Sequence, residues 1–503
     1  NLIKLRMPDF IFITKRLLLG MAAACMATSM VAQTIVKDPA TYGKVGEYTL
    51  ESLWIQSRNT NNNIAEITGG NKTRGMALKR DELLFSYRGG DFTGIKVFEL
   101  KTGTKKKDIK FDTEKFKITY TYTKIDTIVS TPGDTTFQQT PMEEQKTPGF
   151  LCNDIQVDDA GNVVVFNMST ALNGEAIGVW KIDMTSGEPT KVMELANKDG
   201  LLDGYRVDYF AVKGDVTKDA ILMFPVASNK YVIRCDIKDG QLVEQTGDYA
   251  GFTFKAIEIQ KYAPEDAADN GTAPRVAIID NDYFYLDGFN SGASLYDMAG
   301  SLIESVYDAP EECALVNVGN NGVAEFTLNG KPFCAYVISN NMEKPGQAWK
   351  IIEMGEGPTF LDATYYWTIP EGGIGSGAAA SNAVRTALPR IAKVTDKNGK
   401  EAAYIAVFAC ESGAAVYKMT PDGYDNDSES GIANVAADNV KIFVSGDAIY
   451  FSGMANAVVY NFAGQKVMEA AGVQSMAAPA AKGIYIVKAV IDGVEKVQKV
   501  VVK

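Results

Sequence analysis

The stretch Asn153-Asp-Ile-Gln-Val-Asp-Asp-Ala-Gly-Asn-Val-Val-Val-Phe-Asn167 is followed, after a loop, by Ile177-Gly-Val-Trp-Lys-Ile-Asp-Met-Thr-Ser-Gly187. It reads as strand, Asp-Ala-Gly-Asn turn, strand, loop, strand and glycine turn. Short apolar runs rich in Val, Ile and Phe and bounded by Asp, Asn and Gly are the pattern of β-strands joined by tight turns. Nothing in it repeats with the helical period of 3.6 residues.

The same unit recurs along the chain. It runs from Gly75 through Glu82–Ser86 to Gly103, from Val207 through Ile221–Phe224 to Gly240, and from Arg275 through Tyr283–Leu286 to Gly300. It returns from Ala314 to Met354 around Asn329-Gly330, and from Arg390 through Ala402–Val407 to Gly423. Six copies of an alternating strand-and-turn unit predict an all-β fold, a six-bladed β-propeller in which each four-stranded blade buries both faces against its neighbours. The segment Gly46–Ile55 precedes the first copy and is placed to pair with the last blade and close the ring. The propeller is expected over 33–424, a hairpin inserted at 105–149, a solvated acidic linker at 425–431 and a small β-sandwich at 432–503. Within the insertion, an alternating strand from Phe116 would be answered by a return at Ile125–Ser130, followed by a Pro/Thr/Gln-rich loop.

The chain has 503 residues, a formal charge of −12 and no histidine. Without histidine there is no Ser-His-Asp or Cys-His catalysis and no HExxH zinc site. An acidic body repels nucleic-acid phosphates. The basic run Lys105-Lys106-Lys107 is followed at once by Asp108, Asp112 and Glu114, and reads as a solvated loop.

The first 32 residues have the parts of a secretory signal peptide: Lys15-Arg16, an apolar run from Leu17, and small residues leading to cleavage after Ala32. Cys25 opens a lipoprotein alternative. No later segment is long and apolar enough to span a bilayer. The remaining five cysteines, Cys152, Cys235, Cys313, Cys334 and Cys410, lie in strand-like apolar surroundings with no CxxC spacing, and are expected as small buried hydrophobes.

No metal or cofactor is expected. The glycines after Gly372 match neither a phosphate loop nor a dinucleotide fingerprint. The run Asp422–Glu429 lacks the glycine and distal Glu of a calcium loop. The ligand-binding candidates are Tyr365, Tyr366 and Trp367, since strand alternation sends adjacent rings to opposite faces and an exposed ring can stack on a sugar.

Val458-Val-Tyr460-Asn461-Phe-Ala-Gly464-Gln465-Lys-Val467, Lys482-Gly483-Ile-Tyr485-Ile-Val-Lys488 and the terminal Lys499–Lys503 resemble the type A C-terminal sorting domain of the bacterial type IX secretion system. That resemblance implies a module carrying cargo across the outer membrane, with Tyr460, Asn461, Gly464, Gln465, Gly483, Tyr485, Lys499 and Lys503 as its motif positions. The N-terminal repeats resemble uncharacterised secreted propellers of Bacteroidota, which bring no catalytic motif. The expected function is an exported or cell-surface propeller that binds a glycan or protein ligand without catalysis. The alternative is a glycan hydrolase or lyase working with carboxylates or with Tyr and Lys at the axial face.

Overall fold

In a computed structural model of the chain, the turns read from sequence are closed by their own aspartates. The Asp158 carboxylate accepts the backbone N–H of Ala160 (3.0 Å) and Asn162 (2.7 Å). Asp297 does the same for Ala299 and Ser301 (both 2.9 Å), and Asp396 for Asn398 (2.8 Å) and Lys400 (2.9 Å). Each turn then needs a residue at positive φ, supplied by Gly161, Gly300 and Gly399.

The structure describes residues 36–57, 67, 72–118, 120–131, 134–146, 149–172, 176–196, 202, 204–260, 271–289, 291–314, 321–338, 347–355, 357–375, 385–432, 442–445, 448–461, 463–491 and 494–502. The residues read from sequence as a signal peptide ending at Ala32, the glycine- and alanine-rich stretch 376–384, and Lys503 lie outside them.

Antiparallel sheets of four or five strands follow one another. Blade 1 is Thr73–Lys79, Glu82–Arg88, Thr93–Glu99 and Lys105–Lys110. Blade 2 is Cys152–Val157, Val163–Asn167, Ala176–Ile182 and Pro189–Ala196. Blade 3 is Ala211–Gly214, Ala220–Pro225 and Tyr231–Lys238, whose outer edge is shared by Gln241–Leu242 and Lys255–Glu258. Blade 4 is Thr272–Ile278, Tyr283–Phe289, Ser291–Asp297 and Leu302–Ser305. Blade 5 is Val323–Leu328, Lys331–Ile338, Gln347–Gly355 and Thr359–Ile374. Blade 6 is Arg390–Thr395, Glu401–Ala409 and Gly413–Pro421, completed by the N-terminal strand Tyr48–Ser57 and the short Lys44–Val45. Tyr48 pairs with Pro421 and Ser57 with Gly413, so the ring closes where the sequence places the closure. The chain is a six-bladed β-propeller followed by a small β-sandwich.

Side-chain alternation explains why the middle strands are apolar on every residue. Leu83 and Phe85 pack with Tyr404 and Phe408 of blade 6, whereas Leu84 between them packs with Ile155 and Val163 of blade 2. Blade 2 repeats the division: Val163 and Val165 face blade 1, and Val164 and Phe166 face Leu222 and Phe224 of blade 3. A strand buried on both faces has no polar side to show. The five cysteines at positions 152, 235, 313, 334 and 410 are free and buried in these layers.

Four local expectations change. Tyr120–Thr131 is one continuous strand whose partner is Asp134–Lys146, so the return falls in the Pro/Thr/Gln-rich stretch and not at Ile125–Ser130. Residues 105–107 are not a solvated loop but the outer strand of blade 1. There Lys106 meets Glu82 at 2.7 Å, and the Lys107 ammonium donates to the Met184 carbonyl at 2.9 Å. In the C-terminal module, where the apolar runs Ala448–Phe451 and Ala457–Tyr460 read as separate strands, Ala448–Asn461 is a single strand with a register slip between Tyr450 and Ala455, and Lys466–Ala477 is a further strand. Its largely exposed face gave no apolar signal.

Finally, the acidic segment after blade 6 is pinned rather than free. Glu429 accepts from Lys101 (2.5 Å), Tyr404 (2.7 Å) and Lys418, and Lys418 also donates to Asn426 (2.7 Å). Lys397 pairs with Asp425 at 2.7 Å.

Candidate functional site

Each inner strand carries charged or amide side chains among its apolar residues, and ring closure gathers them along the axis. Arg275 of blade 4 donates to Asp154 of blade 2 at 3.0 Å and, at 2.6 Å, to the carbonyl of Thr386, which bridges to Ala409 of blade 6. Its guanidinium lies 3.6 Å over the Tyr209 ring. Arg74 donates to Asn153 at 2.9 Å and faces Glu411 at 3.6 Å, and all of these residues are buried. Arg206 forks onto Asp208 through two 2.8 Å bonds. These pairs cross-link blades 1, 2, 3, 4 and 6 and form a rigid ionic floor.

Where the inner strands of blades 1 to 3 end, the axis opens into a cavity of about 320 Å³. Its charged lining comes from five blades: Arg80, Asp158 and Asp159, Lys213, Glu325 and Arg390. Two of the three carboxylates are spent. Asp158 takes four N–H donors, from Ala160, Asn162 (backbone and side chain) and Val216. Asp159 accepts from the Gly214 N–H at 2.9 Å and pairs with Lys213 at 3.5 Å.

Glu325 is the exception. It accepts the Tyr285 hydroxyl at 2.8 Å, and burial pushes its carboxyl up to about 7, against the opposing pull of that hydrogen bond and of Lys499. Arg390 donates from Nε to the Met76 carbonyl (2.9 Å) and from Nη2 to Gln156 (2.7 Å), which leaves Nη1 without a protein partner among the described residues. Arg80 has none at all among them.

A second, larger cleft of about 990 Å³ separates blades 3 and 4 from the C-terminal module, with Ile442, Lys496 and Gln498 on the module side. Its charges are largely matched in place, Arg234 with Asp236 at 2.7 Å and Lys238 with Asp219. Among the described residues no three Cys, Asp or Glu side chains gather to hold a metal ion, and no helix is long and apolar enough to cross a membrane.

The aromatic trio lies away from the axis, on the outermost strand of blade 5. Tyr366 and Trp367 are both buried, in the layer shared with blade 6, and Tyr365 is half-buried and bonded to Thr368 at 3.1 Å. The expected alternation fails for a physical reason. Trp367 pairs with Ile351 and Tyr365 with Ile352, so Tyr366 is the extra residue of a β-bulge and turns inward beside its neighbour. The Tyr366 hydroxyl donates to Glu353, and the Trp367 indole to the Gly43 carbonyl at 3.0 Å.

In the C-terminal module, Asn461 accepts from the N–H of Ala463 (3.1 Å) and Gln465 (2.9 Å), with Gly464 at positive φ between them, the same turn that closes the blades. Tyr485 is buried and donates to the Ala481 carbonyl at 2.8 Å, Gly483 opens its strand, and Lys488 stands 5.8 Å over the Tyr460 ring. Among the described motif positions, Lys499 is the one paired with the propeller, 2.8 Å from Glu304 of blade 4.

Comparison with known proteins adds little beyond the fold. Residues 151–252, spanning blade 2 and most of blade 3, match a domain of unknown function, DUF8500. No curated protein matches the chain. Similar solved structures include an α-L-arabinofuranosidase from Fusarium graminearum (9% identity, 75% of this chain and 98% of that one, TM-score 0.38). Another is the WD40 domain of Toxoplasma gondii coronin (8% identity, 78% and 91%, TM-score 0.36). A third is a gluconolactonase from Xanthomonas campestris (9% identity, 77% and 93%, TM-score 0.33). At these scores the likenesses carry no functional weight.

Proposed function

We propose that this chain is an exported propeller that binds a glycan or a protein ligand without altering it, through the axial cavity, and that residues 432–503 act as its sorting module. The observation that carries the binding reading is the state of the cavity carboxylates. Glycoside hydrolysis uses two carboxyl groups across the scissile bond. Here Asp158 and Asp159 are consumed by backbone N–H groups and Lys213, and Glu325 stands alone. An open Arg80 beside a partly open Arg390 offers recognition and no second acid.

The test is a glycan array and a mixed-oligosaccharide digestion run on the same preparation. Retention of a ligand with no new reducing ends supports binding. Product formation that disappears in Glu325→Gln would support the hydrolase reading, which the near-neutral carboxyl of Glu325 favours.

Export rests on the basic-apolar-small order ending at Ala32, and sorting on the resemblance of the last seventy or so residues. Cell fractionation of the full chain against one lacking 432–503 tests both. Equal surface amounts would refute the sorting role, and retention of the full chain in the cytoplasm would refute export.

A further inference from the structure

We propose that the axial cavity takes a small organic monocarboxylate of the kind borne by a uronic acid residue, held by Arg80 and Arg390. This rests on the axial binding reading and gives that ligand its chemical class.

In a chain of net charge −12 this cavity sets three bases, Arg80, Lys213 and Arg390, against three acids, Asp158, Asp159 and Glu325. Lys213 is answered by Asp159, and Asp158 is answered by four N–H groups. Arg80 is answered by no described residue, and Arg390 is engaged at two of its three nitrogens by neutral acceptors, a carbonyl and an amide. A guanidinium fork is the side chain best shaped for a planar carboxylate. One unanswered guanidinium and another half-open in the same lining match a single negative charge better than a dianion.

Glu325 completes the recognition. Protonated, it donates a hydrogen bond to a ligand carboxylate; ionised, it repels one. The groups that set its state are the Tyr285 hydroxyl, Asp280 and Glu304 from blade 4, and Lys499 from the module. Arg80, Lys213, Arg390, Asp158 and Asp159 line the same cavity. A cavity of about 320 Å³ lies at the small end of ligand sites, so it suits one ring rather than a chain of them. Leu78, Val157 and Ile391 supply an apolar wall for its face.

The experiment is calorimetric titration of the full chain with galacturonate and with its neutral twin galactose. Galacturonate should bind about tenfold or more tightly than galactose, and Arg80→Gln should remove that advantage by a similar factor. Raising the pH from about 6 to about 8.5 should weaken galacturonate binding severalfold in the wild type and leave Glu325→Gln unchanged. Equal affinity for the two sugars, no binding of galacturonate, or an Arg80→Gln variant that binds galacturonate like the wild type would overturn the inference. Arg80 is exposed, so its variant is expected to fold; its melting curve serves as the control. If array ligands bind while galacturonate does not, the charge inference fails and the axial binding reading stands. Absence of any array ligand counts against that broader reading separately.

Discussion

The Lys499 ammonium sits 2.8 Å from the Glu304 carboxylate, both side chains only 6% exposed, and joins the last strand of the module to the outer strand of blade 4. The other oxygen of Glu304 accepts from the Thr359 hydroxyl at 2.9 Å and the Phe360 N–H at 3.4 Å, while the Lys499 approach is a contact ion pair rather than an aligned hydrogen bond. Beside it Gly357 leaves room for Ile486, since a Cβ there would fall 2.5 Å from the isoleucine side chain. The module therefore leans on the propeller through a desolvated charge pair and a shape fit.

Removing one partner of such a pair strands the other charge. Lys499→Met is expected to cost about 3–5 kcal/mol in the docked state, and adding Glu304→Gln should restore a large part of it. Urea denaturation and limited proteolysis of the single and double variants check this. A single variant that unfolds and is cleaved like the wild type would mean that the pair does not hold the module.

Acid should loosen the pinned segment after blade 6. Burial alone would raise the Glu429 carboxyl, but Lys101, Lys418 and the Tyr404 hydroxyl overcome it and hold the group down to about 2, below its ordinary 4.5. A lowered carboxyl contributes stability that is complete above about 4.5 and is lost as the pH falls towards 2. Hydrogen-exchange protection across 422–432, taken relative to the unstructured rate at each pH, should therefore be high at neutral pH and fall within that window, and Lys101→Met should move the fall to higher pH. Fast exchange already at pH 7 would show the segment to be the free linker that its composition suggests.

The ionic floor makes two opposite predictions. Asp154→Ala leaves the buried Arg275 guanidinium without its carboxylate and should cost about 3–5 kcal/mol by chemical denaturation. The Tyr209 hydroxyl, by contrast, is buried with no hydrogen-bond partner among the described residues, so Tyr209→Phe should be neutral or mildly stabilising. A strongly destabilised Tyr209→Phe would reveal a bond to that hydroxyl.

The blades were legible because their determinants are local. Asp158, Asp297 and Asp396 each close a turn within four residues, and the apolar runs between them need no partner to be recognised. Closure was legible because Tyr48–Ser57 is a strand with no repeat of its own. The cavity was not, since Arg80, Lys213, Glu325 and Arg390 are far apart in the chain and meet only once the ring is shut. One signal was available: Arg275 is the lone charge within the inner strand Thr272–Ile278, whose packed faces leave it the axis. The aromatic trio misled because alternation assumes an unbroken register, and the bulge at Tyr366 breaks it. The pinned segment misled because composition counts the acids of 425–429 and not the Lys101, Lys397 and Lys418 side chains that meet them.

The central claim is that the ligand meets the axis and not the outer aromatic strand, and paired variants test it most directly. The measurement is the affinity of a ligand identified on the glycan array for Arg80→Gln and for Tyr365→Ala, both compared with the wild type. Tyr365 is half-buried and makes one side-chain hydrogen bond, so its loss should leave the fold standing. The account predicts a loss of about tenfold or more in Arg80→Gln and wild-type affinity in Tyr365→Ala. Wild-type affinity in Arg80→Gln with a loss in Tyr365→Ala would contradict it.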